Sequence, residues 1–189
     1  MLRPLKRSDL KLIFSWRNDE SIRQASFSQH EITWEEHSLW FQTMLADKSK
    51  CGYLYFNEDK KPDGVVNFTE LDTIQCTAFW GLYANPHAAL GTGIRMSLDA
   101  LDHAFNKLRI QKLNAEILAS NQRSLDMHKK VGFIEEGRFR DQYYNGNERI
   151  DVIRFGMLAS DWLHSSRELK SRIAKLKVLN NKTLKDSLS

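Results

Sequence analysis

A glycine turn and the strand–helix unit that follows it decide the fold of this chain. Residues 88–95 read AALGTGIR, and residues 113–133 read LNAEILASNQRSLDMHKKVGF. The turn precedes a one-sided apolar stripe, typical of a helix that packs on a sheet, formed by Ile94, Leu98, Leu101, Phe105 and Leu108. The second stretch predicts a strand over 113–118 and a helix over 121–131 that ends at Gly132. Together they predict an α/β unit.

The segments on either side extend this unit into a mixed sheet. Capping residues predict one helix from Ser8 and another from Thr33, which forms a capping-box pattern with Glu36. Three stretches rich in aromatic and β-branched residues predict an antiparallel meander, over residues 53–56, 65–69 and 76–83. From Phe133 onward we expect a final hairpin that turns at 145–146. The predicted class is a mixed α/β sheet flanked by helices.

Composition and charge exclude several classes of protein. The chain has 189 residues, 41% of them hydrophobic and 28% charged, which is typical of a folded domain. Residues 165–189 contain seven Lys or Arg against two acidic residues, a net charge of +5, so residues 1–164 sum to −1. A groove for nucleic acid needs its positive charge on the folded body, so we expect no nucleic-acid partner. We predict one domain over 1–164 and a basic helix or tail over 165–189.

Membrane, metal and subunit partners can also be judged from the sequence. No apolar run approaches the roughly 18–20 residues of a membrane span, and no signal-peptide core follows the first residues, so we expect a cytoplasmic protein. Cys51 and Cys76 fit no metal-binding motif, so we expect no metal site. In the basic tail, an apolar stripe fits packing on the body, on a second subunit of a homodimer or on an anionic surface. The stripe consists of Leu169, Ile173 and Leu176. A solvated terminal helix is the simpler interpretation.

The glycine turn is the first candidate site. Successive N–H groups at a helix N-terminus suit a phosphate group, and glycine lets a ligand approach the backbone. By themselves, two glycines before a helix also fit an ordinary turn. No Gly-Lys-Ser/Thr follows, and the third glycine of a dinucleotide-binding fingerprint is absent, so the turn indicates neither nucleotide hydrolysis nor a Rossmann site.

The strand–helix unit contains the second candidate site. Glu116 interrupts an apolar strand, where a carboxylate costs free energy unless it opens on a cleft or has a partner. An edge-strand Glu that faces water is the simpler interpretation. Asn121 precedes the helix, where its side chain could act as an N-cap. These residue types therefore allow a site without requiring one.

Together the two segments resemble the GNAT superfamily of acetyl-CoA-dependent N-acetyltransferases, over about residues 1–160. The coenzyme A loop of that family, Gln/Arg-x-x-Gly-x-Gly/Ala, matches residues 88–93 except at Ala88. The family's strand Glu, its Asn, a Tyr and a Gly-Phe pair follow at matching spacing, with His128 in the place of the Tyr. The resemblance implies the GNAT fold, in which the central sheet splays to admit acetyl-CoA as acyl donor.

The resemblance also implies roles for individual residues. Glu116 is implied as the base that takes a proton from the acceptor amine, directly or through water. His128 is implied as the acid that protonates the leaving thiolate, although it fits equally a residue that packs or contacts coenzyme A. The backbone around Leu82 and Tyr83 is implied to stabilise the oxyanion. The expected coenzyme A contacts are Leu90, Gly91, Thr92, Gly93, Ile94, Arg95, Asn121, Ser124 and Lys129.

Four further segments look like the aminosugar N-acetyltransferases of the pseudaminic-acid pathway, which acetylate the 4-amino group of a UDP-linked 4-amino-4,6-dideoxy sugar. They are residues 15–18, 30–33, 35–37 and 149–152. This resemblance implies that Arg17 and His37 face the nucleotide. It also implies that Thr69 and Trp80 line the sugar cleft, although Trp80 equally fits core packing.

Two alternatives to an aminosugar acetyltransferase stay open at this point. Ribosomal-protein N-terminal acetyltransferases share the Glu-Asn-Gly-Phe frame, and a similar Gly-x-x-x-Asp hairpin is one residue off here, between Gly146 and Asp151. The other alternative is a non-catalytic acetyl-CoA-binding module, because Ala88 and His128 both depart from the family pattern. Both alternatives keep the same fold.

Overall fold

The computed structural model describes residues 1–171, which form one seven-stranded sheet with helices on both faces. The strands are β1 (Leu2–Pro4), β2 (Cys51–Phe56), β3 (Pro62–Asp72), β4 (Thr77–Ala84), β5 (Lys112–Leu118), β6 (Ile134–Tyr144) and β7 (Arg149–Leu158). The helices are α1 (Leu10–Arg17), α2 (Glu20–Gln24), α3 (Trp34–Ala46), α4 (Thr92–Asn106), α5 (Gln122–Val131) and α6 (residues 159–171). The mixed sheet confirms the predicted fold class.

The sheet opens between its two central strands. The strand order is β1-β2-β3-β4-β5-β7-β6, and β4 and β5 are the parallel neighbours. Their register runs only from Thr77 opposite Lys112 to Phe79 opposite Asn114. Both strands continue beyond these pairs without further mutual pairing among the described residues. The sheet therefore splays, as the resemblance implied.

Side-chain alternation along the strands separates two cores. Val66 and Phe68 of β3 face α4 and α5 and join the larger cluster. Val65, the residue before Val66, faces the opposite side of the sheet and packs with Ile13 of α1 and Phe41 of α3. Because neighbouring residues of a strand point to opposite faces, each site residue on the sheet can be assigned to one of these two layers.

Local sequence signals place the ends of several elements as predicted. The Thr33 hydroxyl accepts a hydrogen bond from the Glu36 N–H at 3.2 Å, and the Glu36 carboxylate accepts one from the Thr33 N–H at 2.7 Å. Gly132 ends α5 at a φ of +101°, which an L side chain rarely adopts. β1 and α2 were not predicted, since three and five residues are too few for a periodic pattern.

The last described helix crosses the predicted domain boundary. α6 runs through residues 164 and 165 without a break. Trp162 is buried in the larger core and its Nε1 donates to Asp102 Oδ1 at 3.1 Å, while Leu169 packs against the same core. The first part of the basic segment therefore packs on the body. Ile173 and Leu176 lie outside the described residues.

Helices long and apolar enough to span a bilayer do not occur within residues 1–171.

Candidate functional site

The glycine turn presents backbone N–H groups to an open surface. Gly91 is the N-cap of α4 with a φ of +86°. The Thr92 N–H donates to Ala89 O at 3.0 Å and the Arg95 N–H to Gly91 O at 3.1 Å. The N–H groups of Gly93 and Ile94, between them, have no backbone acceptor within the described residues. A Cβ at Gly93 would meet no atom within 4 Å, so the space above this turn fits the pyrophosphate of coenzyme A.

Side chains brace the turn from the protein side. Thr92 is 1% exposed, and its hydroxyl donates to Asp63 Oδ2 at 3.1 Å. Arg95 Nη2 in turn donates to the Thr92 hydroxyl, also at 3.1 Å. The Thr92 side chain is thus an internal brace, so a contact of this residue with coenzyme A would have to use its backbone. Leu90, by contrast, is almost fully exposed.

The predicted contacts in α5 are divided between the protein interior and solvent. Asn121 caps the helix, because its Oδ1 accepts from the Ser124 N–H at 3.0 Å. Its Nδ2 donates to Ala25 O, also at 3.0 Å. Both polar atoms of the Asn121 side chain are therefore used within the protein, which confirms the capping interpretation. Lys129 is exposed, and its contact with coenzyme A stays a prediction.

The edge of β4 that faces the opening is suited to an oxyanion. Leu82 and Tyr83 lie beyond Phe79, where the pairing of β4 with β5 ends. The N–H groups along an unpaired strand edge can donate to a ligand. The oxyanion role of this segment stays a prediction, and the geometry is compatible with it.

Glu116 has the partner that its place in an apolar strand requires. Ala115 and Ile117 on either side belong to the larger core, so Glu116 points to the opposite face of the sheet. Its Oε1 accepts from Arg154 Nη2 at 2.8 Å. Since the last pair of β4 and β5 includes Asn114, Glu116 lies just inside the opening.

His128 is part of the core on the other face of the sheet. It is 5% exposed. Its Nδ1 lies 2.8 Å from Ser124 O, and its Nε2 accepts from Trp80 Nε1 at 3.2 Å. Burial lowers the pKa of His128 to about 4, so the ring is neutral at pH 7 and Nδ1 carries the proton that Ser124 O accepts. Neither nitrogen has a proton free for a thiolate, and this geometry favours the packing alternative for His128.

We expect His128 to affect stability in acid. An unfolded chain protonates histidine below about pH 6.5, whereas the folded ring resists protonation down to about pH 4. Stability from the neutral ring is therefore complete above pH 6.5 and is lost as the pH falls towards 4. Between pH 7 and pH 4 the parent should lose about 3 kcal/mol more unfolding free energy than His128→Phe.

Urea unfolding at several pH values measures this difference. His164→Gln, which changes an exposed histidine of α6, is the matched control and should follow the parent. If the free energy of unfolding changes with pH in the same way for the parent and for His128→Phe, the buried ring of His128 is not held neutral.

Acetyl transfer by the Ala and Phe variants of His128 tests its role as an acid. A variant that is folded but has lost turnover, together with recovery of turnover in His128→Tyr, would restore that role.

A polar cavity lies between the helices α1 and α3 and the face of the sheet that carries Glu116. Its volume is about 310 Å³. The register places Val65 of β3 opposite Tyr83 of β4, on the face opposite to the larger core. The cavity is lined by Arg17, Ser28, His30, Ile32, Glu36, His37, Trp40, Asn67 and Tyr83.

Four of the residues that line the cavity each have a buried polar atom without a hydrogen-bond partner among the described residues. These atoms are Arg17 Nη1, His37 Nε2, Asn67 Oδ1 and Tyr83 OH. A buried polar atom without a partner costs on the order of 1–3 kcal/mol, so such atoms are few in folded proteins. Because all four residues line one cavity, we take it as a candidate ligand site.

Arg17 and His37 both line the cavity. Their contact with the nucleotide, which the resemblance implied, stays a prediction. Arg17 Nη2 donates to Ser28 O at 2.8 Å, and burial lowers the pKa of its guanidinium. No carboxylate forms an ion pair with Arg17 in the described part of the chain. His37 is 2% exposed, and burial lowers its pKa, so the neutral ring can accept a hydrogen bond at Nε2.

Thr69 and Trp80 do not line a common cleft. The register pairs Phe68 with Trp80 and Thr69 with Phe79, so the Trp80 and Thr69 side chains lie on opposite faces of the sheet. Trp80 is 6% exposed and stacks on Phe133 at 5.1 Å between ring centroids. The structure therefore corrects the prediction that Trp80 lines the sugar cleft, because alternation directs its ring into the core. Neither residue is among those that line the cavity within residues 1–171.

Asn67 and the Tyr83 side chain were missed by the sequence reasoning. Asn67 is a polar residue within the apolar run of β3, which is the same signal that pointed to Glu116. The Tyr83 hydroxyl has no such signal, since a Tyr in a strand usually contributes to the core. Burial raises the pKa of Tyr83, so its hydroxyl is protonated and can donate.

A loop over residues 25–32, called the strap here, connects the cavity with the opening of the sheet. Its carbonyl oxygens are held by three elements: Asn121 Nδ2 binds Ala25 O, the Tyr143 hydroxyl binds Phe27 O, and Arg17 binds Ser28 O. The Phe27 and Tyr143 rings also meet edge to face. The strap therefore spans the site from α1 to α5 and β6.

A group of side chains able to hold a metal ion does not occur among the described residues.

Comparisons with known proteins agree with the overall fold. A family model described as "Acetyltransferase (GNAT) domain" matches residues 1–134. The chain is 31% identical over 140 residues to the acetyltransferase PseH of Campylobacter jejuni, covering 74% of this chain and 86% of that protein. It is 25% identical over 166 residues to the spermidine N(1)-acetyltransferase of Vibrio cholerae, covering 87% and 96%. A crystal structure of spermidine N-acetyltransferase from Vibrio cholerae, in complex with CoA and spermine, shares the fold with a TM-score of 0.79 at 24% identity, covering 86% of this chain and 97% of that one.

Proposed function

This chain belongs to the GNAT acetyltransferases, which take their acetyl group from acetyl-CoA, and we propose that its acceptor is the 4-amino group of a UDP-linked 4-amino-4,6-dideoxy aminosugar. The relationship to PseH and the segments noted in the sequence support this acceptor. In the structure, the proposal rests on one observation, the unpartnered Arg17 Nη1 in the polar cavity.

The charge of the cavity distinguishes an anionic acceptor from a cationic one. A half-buried guanidinium without a carboxylate partner favours an anion, and a diphosphate accepts the paired N–H groups of Arg. A polyamine, the acceptor named for the Vibrio relative, would need free carboxylates instead. Glu36 lines the cavity, but its oxygens already accept from the Thr33 N–H and contact His30. The balance of charge therefore favours the nucleotide sugar.

Each part of the site has a proposed task in the transfer. Acetyl-CoA supplies a thioester carbonyl that an unprotonated amine can attack. The first turn of α4 binds the pyrophosphate through the N–H groups of Gly93 and Ile94. Glu116 accepts the proton of the amine, and N–H groups on the β4 edge near Leu82 and Tyr83 donate to the oxyanion. As the C–N bond of the product amide forms, the C–S bond of the thioester breaks, and the coenzyme A thiolate leaves and takes its proton from water. Arg17 and His37 bind the nucleotide part of the acceptor.

A panel of amines tests the acceptor. Purified protein and acetyl-CoA are incubated with a UDP-4-amino-4,6-dideoxy sugar, with spermidine and with ribosomal-type N-terminal peptides, and coenzyme A release is followed. We expect turnover with the sugar nucleotide. Acetylation of spermidine or of the peptides, without turnover on the sugar nucleotide, would overturn the proposal and assign the cavity to that acceptor.

Arg17→Ala should raise the acceptor KM more than it lowers kcat, because it removes an interaction made equally in the ground state and the transition state. The loss of a charge-assisted hydrogen bond predicts an increase in KM of about 10-fold or more. Lys11→Ala, an exposed cation on the same helix, is the matched control and should behave as the parent. An unchanged acceptor KM in Arg17→Ala would remove Arg17 from the acceptor site.

A further inference from the structure

The ion pair of Glu116 with Arg154 lies where the sheet opens. The two residues are direct cross-strand partners in β5 and β7, and Arg154 Nη2 donates to Glu116 Oε1 at 2.8 Å. The last pair that joins β4 to β5 is Phe79 with Asn114. The Arg154 guanidinium lies 4.4 Å from the centroid of the Phe79 ring. Arg154 therefore contacts both strands at the point where they part.

Two aromatic rings and one carboxylate fix the orientation of this guanidinium. Besides Phe79, the Phe139 ring of β6 lies with its centroid 5.9 Å from Arg154 Cζ. A planar guanidinium stacks on aromatic rings better than an ammonium does. Arg154 Nε is buried and has no hydrogen-bond partner among the described residues, so no further bond competes with the one to Glu116.

A contribution to stability alone is a weak explanation of this arrangement. The side chains of Arg154 and Glu116 are 26% and 37% exposed. Cross-strand ion pairs of this exposure contribute little to the free energy of unfolding. The ion pair also fixes the position of the carboxylate. Oε1 of Glu116 is bound by Arg154, and Oε2 has no hydrogen-bond partner within residues 1–171.

We propose that Arg154 is a positioning residue, which binds Oε1 of Glu116 and thereby holds Oε2 ready to accept the proton of the acceptor amine. This inference rests on the proposed function, since it presupposes that Glu116 is the base. The proton moves from the amine nitrogen to Oε2 and afterwards to water. Arg154 keeps all its protons and donates to Oε1 throughout.

Arg154→Gln tests the proposal. Because a misplaced base lowers the rate of the chemical step, we expect kcat to fall about 10-fold to 100-fold, with the KM for acetyl-CoA unchanged. Arg154→Lys keeps the charge and should recover part of the loss. The matched control is Arg138→Gln, since Arg138 forms a comparable ion pair with Asp151 at 2.7 Å on the β6–β7 hairpin. This control should retain the parent kcat.

A double-mutant cycle separates positioning from a structural role. If Arg154 acts through Glu116, Arg154→Gln should have almost no further effect on kcat in a Glu116→Gln background. The same loss in both backgrounds would overturn the proposal. Parental activity of the Glu116→Gln enzyme would also overturn the proposal, because it would show that Glu116 is not the base. The double-mutant cycle can be measured with any amine that the enzyme acetylates. If the sugar nucleotide is not acetylated, the proposed acceptor is wrong, but the role of Arg154 can still be tested with another amine.

Discussion

Glu116→Gln should lower turnover by roughly 10²–10⁴ at neutral pH, which is the usual contribution of a general base. The substitution keeps the size of the side chain and an oxygen that Arg154 Nη2 can still bind, so the geometry of the opening is preserved. Only the ability to take a proton is lost. Steady-state kinetics with acetyl-CoA and the best acceptor of the panel measure the effect, and the affinity for acetyl-CoA should stay unchanged.

The pH dependence of the deficit gives this test a second readout. At higher pH a larger fraction of the acceptor amine is already unprotonated, so the variant should approach the parent as the pH rises. Glu135→Gln, an exposed carboxylate of β6, is the control and should retain parental turnover at every pH. A Glu116→Gln enzyme with parental kcat at neutral pH would mean that Glu116 serves only as the cross-strand partner of Arg154.

Local signals were sufficient to predict most elements of this fold. The Thr33 capping box, the apolar stripe that begins at Ile94 and the helix stop at Gly132 each depend on residues close in sequence, and each was confirmed. The missed elements, β1 and α2, are too short for periodicity to show. The place of β1 depends on pairing with β2, a contact between residues about 50 positions apart.

The candidate site was only partly predictable, because the face on which a strand residue lies depends on register. Glu116 and Arg154 are opposite charges within two apolar strands, so a pair could have been inferred, yet only the register shows that they are direct partners. Register also determines the face on which Trp80 lies: it pairs with Phe68, so its ring faces the core. The unpartnered Tyr83 hydroxyl depends on the packing of α1 and α3 over the sheet, which no local pattern encodes.

Asn121 illustrates the same limit for a polar side chain. Its position before α5 correctly predicts the cap. Its second bond, to Ala25 O, spans 96 residues and ties the strap to the helix. The strap therefore depends on a contact that neither segment suggests by itself. Substitution of Asn121 would therefore alter both the N-terminus of α5 and the strap, three residues of which line the polar cavity.

Gly91→Val should weaken acetyl-CoA binding by at least an order of magnitude. Gly91 adopts a φ of +86°, a conformation that costs an L residue about 1–2 kcal/mol, and a β-branched side chain more. The turn can relieve this strain only by changing its backbone, which would redirect the N–H groups of Gly93 and Ile94 away from the pyrophosphate. Titration calorimetry with acetyl-CoA measures the affinity, and thermal unfolding measures the strain.

Gly93→Val separates obstruction of the site from backbone strain. Gly93 has no positive φ, and a Cβ there meets no protein atom within 4 Å. The added side chain should therefore leave thermal stability unchanged and still weaken binding, since it occupies the space assigned to the pyrophosphate. Gly137→Val, on β6 with equally open surroundings, should leave both properties unchanged. If Gly93→Val binds acetyl-CoA as the parent does, the pyrophosphate does not lie on this turn, and any weakening in Gly91→Val comes from strain alone.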